Sequence, residues 1–127
     1  MEGRVNMNNV YLVRDILLYL DEYDGKYFNG TLEFNGYDKR EVDYCLQQML
    51  DENLLIGHLL YEYDDVYFHG VALSRRGEQV LGLARNDDVW LIFKQKIGNE
   101  NQSIPVSATI DILKRISQNY FINKFGL

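Results

Sequence analysis

Two strand-like segments separated by only two residues constrain the fold of this chain most strongly. Residues 54–63 and 66–73 are rich in aliphatic and aromatic side chains, and Asp64 and Asp65 lie between them. Segments this close in sequence are typical of an antiparallel hairpin. A two-residue loop predicts three facing pairs, which are Tyr63 with Val66, Tyr61 with Phe68, and Leu59 with Gly70. Since Asp-Asp lacks the glycine preferred in the tightest turns, a longer loop is the alternative.

Helical patterns and one short strand precede the hairpin. Asn8 or Asn9 can cap a helix whose apolar stripe runs from Val10 to Leu20. Alternation over Thr31–Asn35 predicts a strand. A second helix is predicted from Asp38 to about Glu52, because Asp38 and Glu41 have capping-box spacing. Its predicted stop is Asn53 in a left-handed conformation.

Three more helices are predicted after the hairpin. Ser74 can cap a helix that runs to about Arg85, and Asp87 or Asp88 can start another through Ile97. The last helix is predicted from Pro105 to Phe121, with an apolar stripe of Ile110, Leu113, Ile116 and Tyr120. We expect Trp90 to be buried where the middle helices meet the rest. Gly77 and Gly82 each cost about 1 kcal/mol relative to alanine in a helix, which predicts close packing at both.

This order of elements predicts an α+β fold of the winged helix-turn-helix type. The usual second helix is degenerate or replaced by the short strand, the wing is a two- to three-stranded sheet, and helices follow it. Residues 38–52 occupy the recognition position, and the hairpin is the wing. We expect one domain over 1–127, with a winged-helix body at 7–85 and a helical extension at 86–127 packed on it.

Composition excludes several classes of protein. The apolar fraction of 46% is too high for a disordered chain. A single cysteine, Cys45, cannot form an internal disulfide and reads as a small buried hydrophobe. No apolar run approaches a membrane span, and the polar residues 1–9 do not form a signal peptide. We therefore expect a cytoplasmic location and no membrane contact.

Three stretches resemble a family of small uncharacterised winged-helix proteins that is frequent in phages and prophages. The most specific is Leu73–Gly77 with Leu81 and the aspartate-rich link Ala84–Trp90. The others are Met7–Leu18, and Gly36–Asp38 with Glu41, Val42 and Asp51–Ile56; Ile110, Leu113 and Phe125–Leu127 fit as well. The resemblance implies the winged-helix fold and a phage or prophage origin. It carries over no catalytic or binding residue, and residues 1–6 look like an extension.

Charge is divided unevenly along the chain. Residues 1–66 hold 5 Lys/Arg and 14 Asp/Glu, whereas residues 67–127 hold 8 and 5, giving −9 and +3 within a total of −6. An acidic half repels nucleic acid and can attract a basic partner or the basic half of another copy. The alternative is that these charges are solvated faces that maintain solubility.

The predicted recognition helix and wing are the candidate functional surface. On the helix the candidates are Lys39, Arg40, Asp43, Tyr44, Gln47 and Gln48, and on the wing Tyr61, Tyr63, Asp64 and Asp65. Tyrosines favour interfaces, and Tyr27, Phe28 and Tyr67 are further candidates. This acidic surface predicts a non-enzymatic module that binds an unidentified protein, such as a host factor, with homodimerisation as a further alternative. The alternative function is transcriptional regulation through DNA bound by the 38–52 helix, with phosphate contacts from Arg75 and Arg76.

Catalytic and metal chemistry have little support in the sequence. Phosphate loops, dinucleotide fingerprints, nucleophile elbows and metalloprotease helices are absent, so no enzyme activity or cofactor is predicted. His58, His69 and Glu62 fall on one face of the hairpin and can be considered for zinc. In the predicted register, however, Leu60 pairs with His69 and separates the ligands. Two half-buried strand histidines are therefore expected.

Overall fold

Five helices form the larger part of the structure. The computed structural model describes residues 8–63, 65–98 and 103–126. The helices are α1 (Val10–Glu22), α2 (Lys39–Asp51), α3 (Arg75–Arg85), α4 (Asp87–Ile97) and α5 (Val106–Phe125). The strands are β1 (Asn8–Asn9), β2 (Phe28–Gly30), β3 (Leu55–Glu62), β4 (Asp65–Leu73) and β5 (Ser103–Ile104). The α+β class is thus confirmed.

Side-chain caps place the helix starts close to where the sequence predicts them. Asn9 accepts hydrogen bonds from two amides of α1, and the Ser74 hydroxyl accepts one from the Gly77 amide. The predicted start of α4 is confirmed, because the helix begins at Asp87, and the residue before it, Asn86, is its cap. The Asn86 side chain accepts from the amides of Asp88 and Val89 at 3.0 and 3.1 Å. α5 extends one turn beyond the predicted Phe121 and ends at Gly126, whose φ of 70° is left-handed.

The three-stranded antiparallel sheet has the order β2-β4-β3. The predicted strand at Thr31–Asn35 is wrong, because the strand lies at Phe28–Gly30 instead. Phe28 pairs with Val71, and the Asn29 side chain accepts from the Gly70 amide at 2.8 Å. Residues 31–35 alternate in burial, with Leu32 inside, but have no paired strand. Their pattern therefore reports contact with the core and not sheet pairing.

The hairpin register is also shifted from the prediction. Tyr61 faces Val66, Leu59 faces Phe68, and Glu62 faces Asp65. Tyr63 belongs to the turn and adopts a left-handed φ of 56°, the conformation that a tight hairpin turn requires. The shift of two residues leaves each side chain on its predicted face, since faces alternate with a period of two. A further register shift occurs at Gly57, whose φ is 125°.

A small ribbon joins the beginning of α1 to the beginning of α5. Asn8 pairs with Ile104 and Asn9 with Ser103 in antiparallel β1 and β5. The sequence does not predict this ribbon, because two-residue strands carry no periodic pattern. It fixes the N-terminal ends of two helices that are more than 90 residues apart in the chain.

One apolar cluster links all five helices to the sheet. The predicted stripes of α1, α2 and α5 lie in it, and Cys45 is fully buried there. Trp90 is buried as predicted, stacked on Phe93 at 4.9 Å and edge-on to Tyr11. Within residues 8–63, 65–98 and 103–126, no helix has the length and hydropathy needed to cross a membrane.

The two glycines of α3 differ in their surroundings. A Cβ at Gly77 would lie 2.0 Å from the Leu54 carbonyl oxygen, so close packing is confirmed there. A Cβ at Gly82 would meet no atom within 4 Å, so the prediction of close packing is wrong at that position. Gly82 lies on the solvent side of the helix, which the glycine alone could not reveal.

Candidate interaction surface

The α2 helix stands against the hairpin and presents one face to solvent. Its start has the predicted capping interaction, in which the Asp38 amide donates to Glu41 Oε1 at 3.1 Å. Val42, Cys45, Leu46 and Met49 point into the core. The opposite side carries the predicted candidates, of which Arg40 is exposed and Lys39, Asp43, Tyr44, Gln47 and Gln48 are partly buried.

Lys39 is the cation nearest the wing, and two carboxylates hold it. Its Nζ lies 2.8 Å from Asp43 Oδ2 and 2.8 Å from Asp65 Oδ1. The hydrogen bonds to Asp43 and Asp65 raise the pKa of Lys39, and the hydrogen bond from Lys39 lowers the pKa of Asp65. The ion pairs neutralise Lys39 and tie the helix to the first residue of β4.

A shallow groove of about 200 Å³ lies between α2 and the hairpin. Its lining residues are Asp43, Tyr44, Gln47, Leu59, Tyr61 and Val66. Asp43 Oδ1 is buried and has no hydrogen-bond partner within the described ranges. Gln47 is engaged along its own helix, since its Nε2 donates to Asp51 Oδ1 at 3.0 Å.

The hairpin tip consists of Tyr61, Glu62, Tyr63 and Asp65. The Tyr61 side chain is 72% exposed and that of Tyr63 is fully exposed. Asp64, the remaining wing candidate, lies outside the described residues. The tip therefore presents two exposed tyrosines beside carboxylates.

The other predicted aromatic candidates have different environments. Tyr27 is exposed and Tyr67 is partly buried. Phe28 is buried in the core, so its assignment to a surface is wrong. Its strand pairing with β4 turns the ring inward, and this pairing could not be deduced from the local sequence.

Arg75 and Arg76 lie at the end of α2 that is distant from Lys39. Arg76 Nη1 donates to the Glu52 carbonyl at 2.6 Å and thereby caps the C-terminal end of α2. Arg75 is exposed at the start of α3. The 13 residues of α2 span about 20 Å between Lys39 at one end and the two arginines beside the other end. These basic side chains therefore do not form one continuous positive stripe.

The two histidines face each other across the hairpin. His58 pairs with His69, and both are exposed rather than half-buried as expected. The predicted pairing of Leu60 with His69 is wrong, because Leu60 faces Tyr67. In the part of the chain that the structure describes, no three His, Cys, Asp or Glu residues are grouped closely enough to hold a metal ion. Burial raises the pKa of the Cys45 thiol, which keeps it protonated and unreactive.

A second groove, which the sequence analysis missed, lies between α4 and α5. This α4–α5 groove has a volume of about 550 Å³ and is lined by Ile92, Lys96, Ile116, Asn119, Tyr120, Asn123 and Lys124. Tyr120 also joins the two helices, since its hydroxyl donates to Asp88 Oδ2 at 2.5 Å. The sequence feature that could have indicated this groove is the position of Ile92 and Lys96 on α4 and of Lys124 on α5, outside the fully buried stripes of these helices.

Comparisons with known proteins give one match. A family model described as a hypothetical protein (DUF2513) matches residues 7–103. No curated protein and no solved structure matches the chain. The matched region contains α2, the hairpin and α4, and it ends before α5.

Proposed function

Because the chain belongs to the DUF2513 family of hypothetical proteins, whose function is unknown, we propose its function from the surface described above. The protein is a non-enzymatic winged-helix module that binds another protein through α2 and the hairpin tip. We infer a phage or prophage origin and a role in the host cytoplasm, as an adaptor or as an antagonist of a host factor.

The order and packing of the elements support the winged-helix assignment. α1, β2, α2, the β3–β4 hairpin and α3 follow each other in the order of a winged helix in which a strand replaces the second helix. α2 then has the recognition position and the hairpin is the wing. A fold of this kind serves both DNA and protein partners, so the surface chemistry must decide between them.

The neutralisation of Lys39 by Asp43 and Asp65 is the observation that carries the proposal. A DNA-binding helix needs cations that are free to contact phosphates. Here the cation between helix and wing already has two carboxylate partners at 2.8 Å. The surface next to it consists of exposed tyrosines and acids, which favour a partner that offers arginine or lysine beside an apolar patch.

Site-specific photo-cross-linking in cells that carry the gene tests this function. A photo-reactive residue at Tyr63 should give a discrete adduct with one protein, and the adduct should weaken at 500 mM salt or with Tyr61→Ala. The control position is Leu91, which is also exposed, at 51%, but lies on α4 and not on the hairpin. The same adducts from both positions, or no protein adduct from Tyr63, would contradict the proposal.

DNA binding by α2 is the second candidate, and two exposed arginines favour it. Arg40 lies on the solvent side of α2, and Arg75 lies at the start of α3. Both can contact phosphates, but the acidic residues of the tip lie on the wing, where a second set of phosphate contacts is needed. We therefore rank DNA below a protein partner.

A further inference from the structure

The α4–α5 groove combines an apolar floor with lysines that have no acidic partner. Ile92, Ile116 and the Tyr120 ring form the floor. Lys96 has no ion pair or hydrogen bond within the described ranges. Lys124 Nζ donates to the Tyr120 hydroxyl at 3.5 Å and lies 5.5 Å from the ring centre, and among the described residues it has no carboxylate partner. Such a groove suits an aromatic side chain flanked by carboxylates.

The hairpin tip of the same protein has the complementary chemistry. Tyr63 is fully exposed, and its backbone has a left-handed φ of 56°. Glu62 is exposed beside it, and its carboxylate has no hydrogen bond or ion pair among the described residues, whereas Asp65 is engaged by Lys39. The tip belongs to the half of the chain with a net charge of −9, and the groove belongs to the half with a net charge of +3.

We propose that the hairpin tip of one copy docks in the α4–α5 groove of a second copy. The Tyr63 ring then covers the floor formed by Ile92 and Ile116, and Glu62 pairs with Lys96 or Lys124. This inference rests on the proposed function, because it names a second copy as one partner of the tip. Tyr63 is fully exposed in its own chain and does not occupy the groove there, so the proposed contact joins two molecules.

The contact is heterologous, since the two molecules use different surfaces. Every docked copy still has one free tip or one free groove, so association continues into rings or chains unless a surface is blocked. Attraction between exposed charges is screened by salt, with a Debye length of about 10 Å at 0.1 M. We therefore expect self-association that grows with protein concentration and is suppressed by salt.

Sedimentation velocity on the full chain tests this arrangement with two disabling variants. Lys96→Glu with Lys124→Glu disables the groove, and Glu62→Lys with Tyr63→Ala disables the tip. Each variant alone should be a monomer at concentrations where the wild type associates, with association weakened at least tenfold. Mixed in equal amounts they should form a dimer and nothing larger, because one intact tip and one intact groove remain.

The control variant reverses two charges, as the groove variant does, but at positions on α5 outside the groove. Lys114→Glu with Arg115→Glu lies on an exposed part of the helix outside the groove and should associate like the wild type. Circular dichroism melting of every variant separates loss of association from loss of folding. A mixture that stays monomeric although the wild type associates would overturn the proposal.

A wild type that is monomeric at every concentration and salt would overturn it as well. That result would leave the groove to an acidic peptide of another protein. The groove variant keeps the tip intact, so photo-cross-linking from Tyr63 in that variant still reports a partner that is a different protein. Failure of self-association is thereby distinguished from failure of the proposed function.

Discussion

Replacing Gly77 by alanine should destabilise the protein although alanine is the better helix former. Gly77 lies in the first turn of α3, where this helix meets the end of α2. The new Cβ would lie 2.0 Å from the Leu54 carbonyl oxygen and 3.0 Å from the carbonyl carbon. The obstacle is backbone, which cannot rotate away as a flexible side chain can.

The size of the effect follows from three contributions. Alanine gains about 1 kcal/mol over glycine in helix propensity. Overpacking a tight site costs about 1–3 kcal/mol. Moving the Leu54 carbonyl also weakens its 2.9 Å hydrogen bond from the Ser74 amide, which is worth about 1 kcal/mol. The net expectation is a loss of about 1–3 kcal/mol in the free energy of unfolding.

Urea unfolding of both α3 glycine variants provides the measurement and its control. Gly82→Ala adds the same methyl group on the same helix, but into open space. It should stabilise the protein by about 0.5–1 kcal/mol through helix propensity. The two variants should therefore shift the midpoint in opposite directions. If Gly77→Ala unfolds at or above the wild-type urea concentration, the reasoning from the Leu54 contact is refuted.

Four further predictions concern the core, the last helix, the wing and DNA. Trp90→Ala should lower the free energy of unfolding by about 3–5 kcal/mol. The fluorescence of this single tryptophan should be blue-shifted in the folded protein, and an emission maximum typical of full exposure would contradict its burial. Deleting residues 103–127 should give an insoluble or strongly destabilised protein, since α5 buries Val106, Ile110, Leu113 and Ile116; an unchanged melting temperature would show that the helix is dispensable. The pKa of Asp65 is lowered from 3.8 in the folded state, so Asp65 contributes stability above that pH, and this contribution disappears as pH falls through the lowered value. Lys39→Met removes the ion pair and should therefore lose less stability than the wild type on acidification. Equal losses in the two proteins would argue against the ion pair. Anisotropy titration should show no nanomolar binding to any one duplex sequence over competitor DNA at physiological salt, and such binding would favour the regulator function.

The helices could be predicted from the sequence because their signals are local. Apolar residues three and four apart define each buried face, and Asn9, Asp38 and Ser74 act within three residues of the helix they cap. The left-handed stop at Asn53 is confirmed by its φ of 62° for the same reason. These features need no knowledge of the rest of the chain.

Features that depend on distant partners could not be predicted. β2 forms where Phe28 meets Val71, and its three-residue sequence is too short to show an alternating strand pattern. The hairpin register depends on Tyr63, a residue type seldom chosen for a left-handed turn. On the candidate surface, Lys39 and Arg76 were correctly placed on their elements. Lys39 binds Asp65, which is 26 residues away in the sequence, and Arg76 binds the Glu52 carbonyl, which is 24 residues away. Local sequence patterns cannot reveal contacts over such separations.

The ribbon between β1 and β5 has a consequence for how the protein folds during synthesis. α5 is translated after α1 to α4, yet the β5 strand just before it pairs with residues that precede α1, and the apolar stripe of α5 completes the core. Contacts between such distant parts of a chain slow folding, because a long loop must close before they form. At 5–20 residues per second, α1 waits roughly 5–20 s on the ribosome before β5 exists. During that interval the unpaired faces of α1 and α2 need protection from aggregation, so the nascent chain should depend on chaperones more than its small size suggests.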